Sequence, residues 1–232
     1  MRRKLGYGLL AVGICLLAWV GATLYWGDPV TSLYTSYEQR GLSQRLDSLQ
    51  HVWAARAQKN AAIRSSDQLA RNAEAVRRAE AAAFAAGLRE GQPIGRITVP
   101  RLGLSMVVVQ GTSASDLEKG PGHYDAASGA NTSLPGLGGV VAIAGHRTTY
   151  LHPFRHIDAL RAGDRISLAM PYGTFTYTVY MHRIVGDHDW SILRKKSFEK
   201  LVLSACHPLY SATHRWVVFA RLTSSASASP AA

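Results

Sequence analysis

The chain has 232 residues, 47% of them hydrophobic, and a formal net charge of +11, which fits one ordinary domain with accessory segments and excludes collagen-like or long-repeat architectures. The charge is spread evenly, with 12 Lys and Arg against 7 Asp and Glu in residues 1–91 and 14 against 8 in residues 92–232. Such a chain suits an anionic neighbourhood, a membrane surface or a cell wall, and no zinc-finger, helix-turn-helix or RNA-binding signature turns the charge toward nucleic acid.

Residues 1–4 hold Arg2, Arg3 and Lys4, and residues 5–26 then run without a charged side chain. A helix of that length rises about 33 Å, enough for a hydrocarbon core of about 30 Å. The flanking charges predict a single-pass anchor with a cytoplasmic N-terminus and everything after residue 26 outside the cell. A cleaved signal peptide is the rival reading. Against it, the apolar run is long, and Tyr25-Trp26 stand where small cleavage-site residues belong.

Residues 27–91 read as a helical stalk or linker. They are rich in Ala, Gln, Arg and Glu, and Leu42, Leu46, Leu49 and Trp53 fall on one helical face. The stripe is short and alanine-rich, which favours a solvated helical spacer over a coiled coil. Gly91-Gln92-Pro93 ends the pattern.

From residue 92 to 222 the texture changes to short apolar runs broken by turn residues. Strands are expected over 95–102, 105–110, 139–144, 165–170, 174–185, 201–205 and 216–222, with short helices over 114–119 and 153–160. Seven or eight strands in this length predict a mainly β fold, a closed or nearly closed β-barrel. The Ser/Ala-rich residues 223–232 read as a disordered tail.

Two segments carry chemistry. Residues 140–144 form an apolar strand that runs into Gly145 and His146, which sets an imidazole at a sheet rim. Residues 201–205 form another, ending in Cys206, and Arg215 opens the last strand nine residues later. Cys15 lies in the apolar N-terminal run, so Cys206 is the one thiol of the exported part and no disulfide framework is available there. A thiolate is the attacking species of a cysteine nucleophile, a nearby imidazolium favours it and later protonates a leaving amine, and a guanidinium receives the oxyanion. His146, Cys206 and Arg215 are therefore the candidate catalytic residues, with substrate-binding residues unassigned. His152 and His156 have i, i+4 spacing but no Glu or third ligand, so a solvent-facing helical pair is expected there and no metal or other cofactor.

The order Gly-His, then Leu-x-x-Cys closing a strand, then Arg opening the next resembles the sortases. Gly145-His146-Arg147-Thr148-Thr149-Tyr150 with Pro153-Phe154, and Ser204-Ala205-Cys206-His207-Pro208 with Tyr210-Ser211 and Arg215, are similar to the histidine and cysteine segments of actinobacterial class E sortases. The resemblance covers roughly residues 93–222. It implies an eight-stranded sortase β-barrel and catalytic roles for His146, Cys206 and Arg215. It implies cleavage of exported proteins at a C-terminal LPxTG- or LAxTG-like sorting signal, through a thioacyl-enzyme that passes to a peptidoglycan precursor or a pilin lysine. It further implies that the active ionised pair is a minor fraction of the enzyme. Ala205 departs from the threonine that many sortases carry before the cysteine, which leaves the signal preference open. Calcium activation occurs in part of the family, and no acidic cluster here marks a site for it. Other cell-wall cysteine enzymes fit less well: the Ser-His-Gly-Cys string of L,D-transpeptidases is absent, and NlpC/P60-type peptidases place cysteine before histidine. A non-catalytic surface-displayed barrel that binds partners is the alternative from another class.

Overall fold

The computed structural model describes all residues except 1, 27, 64–65, 126–129, 131 and 229–232; within the helices, the side chains of 2–3, 5, 23–26, 29, 61–63 and 66–72 also lie outside the described set. Three helices lead the chain: α1 (Arg2–Trp26), α2 (Pro29–Ile63) and α3 (Ser66–Ala86). Eight strands follow: β1 (Pro93–Val99), β2 (Leu104–Gln110), β3 (Gly122–His123), β4 (Val140–Ala144), β5 (Arg165–Met170), β6 (Gly173–Gly186), β7 (Lys200–His207) and β8 (His214–Ser227). A short helix α4 (Ala114–Leu117) lies between β2 and β3, started by a Ser113–Asp116 capping box.

The strands close into a barrel in the order β1-β2-β3-β4-β7-β8-β6-β5. Neighbours are antiparallel except for two parallel pairs, β2 with β3 and β4 with β7. The interior holds Ile97, Val108, Val141, Ile143, Leu168, Phe175, Leu203 and Val218 among others. Alternate residues of the same strands, Val140, Ala142, Val202, Val217 and Phe219, form a second cluster outside the barrel with Val185 and Ile192. The period-2 pattern of a strand thus builds two layers here. Lys200, 2% exposed, holds the outer layer in place: its ammonium donates to the carbonyls of Ile192 (2.8 Å) and Arg194 (2.7 Å).

Four expectations need correction. The helical segment 27–91 is no solvated spacer. Asp28 caps α2 through the Val30 amide (3.0 Å), and the helix then lies on the barrel. Leu42 and Leu46 bury against Val107 and Val109 of β2. Just before them on α2, the Gln39 amide bonds both the N–H of Val107 (2.8 Å) and its carbonyl (3.0 Å). The reason lies in the sheet: β3 meets β2 only at Val109 and Gln110, so the β2 edge is open at Val107 and a side-chain amide satisfies it. Trp53 then meets Phe84 of α3 edge to face, and Phe84 meets Tyr172 in a tilted pair, with centroids 5.6 and 5.5 Å apart along the row.

The expected tail is in part a strand. Ser224 to Ser227 pair with Thr176 to Gly173 of β6, so a backbone ladder orders a segment whose side chains offer little to a core; residues 229–232 lie outside the described residues. His152 and His156 do not share a helix: residues 150–152 have φ of 52°, 59° and 36°, and His156 only precedes a 3₁₀ turn (Ile157–Ala159). The strand expected over 95–102 stops at Val99, where Pro100 opens a 3₁₀ turn closed by Gly103 at φ 60°. As for the anchor expected over 5–26, α1 is one continuous helix with Leu9, Leu10, Ile14, Leu16 and Leu17 exposed. No helix among the described residues is long and apolar enough to cross a membrane, and the side chains of Leu5 and residues 23–26 lie outside that set.

His123, 3% exposed, sits on β3 with its ring nitrogens against the Ser133 carbonyl (3.2 Å) and the Gln110 side-chain amide (3.0 Å). Burial pushes its pKa down to about 4. Its folded pKa is below the unfolded one, so proton uptake favours unfolding. The stability it supports is complete above about pH 6.5 and falls by roughly 3 kcal/mol as pH drops to about 4. Urea titrations across that range should show this slope, and His123→Gln should flatten it; equal slopes in the two proteins would refute the assignment.

Candidate active site

The register of the one long parallel pair sets the site. Ala144 of β4 is level with Ser204 of β7, so His146 and Cys206, each two residues further on, emerge at the same end of the barrel. In the antiparallel β7–β8 pair Cys206 stands opposite Arg215. Three separate strands thus deliver the three sequence-predicted residues to one cavity of about 210 Å³, lined also by Tyr124, Ser204, Thr112 and Leu117. Two larger hollows, of about 480 and 420 Å³, lie at the start of β7 and beneath α2 and hold no thiol.

Gly145 has a steric reason. A Cβ there would meet the Phe154 ring at 2.6 Å, and Phe154, fully buried, is bound through its amide to the His146 carbonyl (3.0 Å). The chain can turn from β4 into the histidine only because nothing projects at 145. His146 is half-buried with its ring 5.1 Å from that of Tyr150. Desolvation holds its pKa below the ordinary histidine value, and the charge of Glu118 works in the opposite direction.

The Arg215 guanidinium is anchored at one corner: Nη1 donates to the carbonyls of Ala212 (2.7 Å) and His214 (3.0 Å), while the residue also lines the cavity. Ala205 is 3% exposed and belongs to the interior cluster. A strand alternates faces, so the hydroxyl on the cysteine's own side is that of Ser204, whose Oγ is 3.0 Å from the Tyr124 hydroxyl. The polar pair beside the thiol comes from that side of the strand.

Arg147, next to the histidine in the sequence motif, has a structural role of its own. It is 4% exposed. Nη2 pairs with Asp158 at 3.0 Å and with the Arg155 carbonyl at 3.1 Å, and Nη1 reaches the Cys206 carbonyl and His207 Nδ1, both at 3.4 Å. One buried guanidinium therefore ties the histidine loop to the end of the cysteine strand. Its signal in sequence was an arginine adjoining the histidine; its partners, 8 to 60 residues away, were not readable there. Among the described residues, no group of three His, Cys, Asp or Glu is placed to hold a metal. The cavity offers what acyl transfer needs: a thiol, an imidazole and a guanidinium around a space for one carbonyl.

The family model of the Sortase domain matches residues 97–223. Among characterised proteins, the chain is 33% identical over 135 residues to Sortase D of Bacillus subtilis, covering 56% of this chain and 64% of that one. It is 27% identical over 144 residues to a sortase E1 of Streptomyces coelicolor, covering 57% and 41%. It thus spans less than two thirds of either relative. Similar solved structures include sortase E from Streptomyces avermitilis, 32% identical with a TM-score of 0.52 over 60% of this chain and 93% of that one. Another is a Clostridium perfringens sortase D5 transpeptidase, 25% identical with a TM-score of 0.55 over 62% and 88%.

Proposed function

The chain belongs to the sortase family of cysteine transpeptidases, and from that membership we propose that it cleaves a C-terminal LPxTG- or LAxTG-like sorting signal on exported proteins and transfers them to an amine. The observation that carries the reading is the convergence of His146, Cys206 and Arg215 on one cavity from three strands. In this mechanism the Cys206 thiolate attacks the scissile carbonyl, and the oxyanion forms beside the Arg215 guanidinium. Collapse breaks the C–N bond, the leaving amine takes its proton from His146, and a thioester remains. The acceptor amine then attacks the thioester carbonyl, gives a proton to His146 and releases the thiolate. The acceptor is a peptidoglycan precursor or a pilin lysine.

The proposal includes a membrane setting, with residues 5–26 as a single-pass anchor, the N-terminus cytoplasmic and the barrel outside the cell. Supporting it are the uncharged run, the three basic residues before it and the exposed apolar side chains of α1. A peptide library varied at each signal position, incubated with the full chain, tests the function. Mass spectrometry should find an acyl adduct on the Cys206 peptide for one group of signals and none in Cys206→Ala. Equal turnover with and without the thiol would sink the mechanism.

A further inference from the structure

Beyond His146 the chain takes an unusual path. Tyr150, Leu151 and His152 have φ of 52°, 59° and 36°, three consecutive side-chain-bearing residues in a region that L-amino acids adopt reluctantly. Such a run persists where surrounding contacts hold it, and here they come from segments remote in sequence. The Tyr150 amide donates to Thr31 Oγ1 of α2 at 3.1 Å, and its hydroxyl donates to Glu118 Oε1, just after α4, at 3.0 Å. The Thr35 hydroxyl donates to the Glu118 carbonyl at 2.7 Å, so α2 holds the holder as well. The Tyr150 ring lies 5.1 Å from the His146 imidazole.

We propose that Thr31 and Glu118 are positioning residues for His146, acting through Tyr150, so that the first turns of α2 form a brace for the catalytic loop. The proposal rests on the assignment of His146 as the acid–base partner of Cys206. Neither Thr31 nor Glu118 lines the cavity, and their effect passes through the tyrosine between them. The titratable and charged groups around the brace are Glu118 after α4, Asp28 just before α2, Tyr34 and Glu38 on α2, Tyr150 and Arg147 from the loop itself, and Cys206 and Arg215 across the cavity. Of the carboxylates, Glu118 is the one whose charge reaches the imidazole, where it favours the protonated form against desolvation. Its hydrogen bond from Tyr150 holds that phenol above its ordinary pKa, so the tyrosine stays a neutral donor. Removing the carboxylate makes His146 harder to protonate, and removing the Thr31 acceptor frees the loop without removing a charge.

The test uses the full chain in nanodiscs with ¹³C-labelled histidine, the His146 signal being assigned with His146→Gln. In Glu118→Gln, which removes the charge and keeps an acceptor for Tyr150, the His146 titration should move to lower pH. In Glu118→Ala, which removes the acceptor as well, kcat should fall roughly ten- to hundred-fold with KM within about twofold, as expected for a catalytic group displaced by about an ångström. Thr31→Val should lower kcat in the same manner, and Thr31→Ser should restore it. An unmoved His146 titration in Glu118→Gln, unchanged kcat in Glu118→Ala and Thr31→Val, or losses that only follow a falling melting temperature would each overturn the brace. The site assignment fails separately, by wild-type acyl-enzyme formation in His146→Ala, and the histidine titration still judges the brace in that event.

Discussion

Arg215→Ala lowers the rate of acyl-enzyme formation by about 10²–10³, the 2.7–4 kcal/mol typical of a lost oxyanion donor, and Arg215→Lys recovers little of it. The structure explains why charge alone does not suffice. Arg215 stands opposite Cys206 on the neighbouring strand, and its Nη1 is committed to two carbonyls of the preceding turn, Ala212 and His214. A guanidinium has five N–H groups in a rigid plane, so anchoring one corner fixes the direction of the others. A lysine ammonium cannot both hold those carbonyls and aim a donor into the cavity. The measurement is single-turnover mass spectrometry on the Cys206 peptide with the best library signal, beside melting curves that show the barrel intact. Recovery of half the wild-type rate in Arg215→Lys would refute the geometric argument.

The second large effect falls on stability. Leu46 is 1% exposed, and its partners Val107 and Val109 are fully buried only because α2 covers the outer face of β2. Leu46→Ala removes a packed side chain from that seam, at a cost of about 2–4 kcal/mol. At this chain length that corresponds to a drop of roughly 5–10 °C in melting temperature. Adding Leu42→Ala should deepen the loss and open residues 73–91 to limited proteolysis. If α2 were a solvated spacer, neither substitution would move the melting curve, and that result would refute the docked arrangement.

The candidate site was more legible in the sequence than its scaffolding. Cys206, His146 and Arg215 announced themselves because each sits at the end of an apolar run, and strand ends are visible as local patterns. The alternation of residues 174–180 and the turn residues between runs were enough for the barrel. The two-residue strand β3 was too short to have a pattern. The stripe of Leu42, Leu46 and Trp53 is readable as a face, but a stripe does not say what covers it, and here Leu42 and Leu46 are covered by β2 of the barrel. The Ser/Ala-rich end looked disordered because its order comes from backbone pairing with β6, which composition does not register. Glu118, Thr31 and Arg147 were missed for one shared reason: their contacts span 32, 119 and up to 60 residues of sequence, and no local pattern encodes such a separation.

The level pairing of Ala144 with Ser204 also bears on how this chain can change. The histidine and the cysteine are 60 positions apart, yet their relative placement is fixed by a five-rung ladder, Val140–Lys200 through Ala144–Ser204. Everything between 147 and 199 is therefore free to lengthen, shorten or be exchanged where it touches none of the Arg147 ties, the Tyr150 brace and the barrel core. A single residue inserted within β7 has the opposite effect. It would turn Cys206 from the cavity into the barrel wall and bring Ala205 out in its place. Loop grafts should be survivable and strand insertions should not, a tolerance map drawn by hydrogen-bond register.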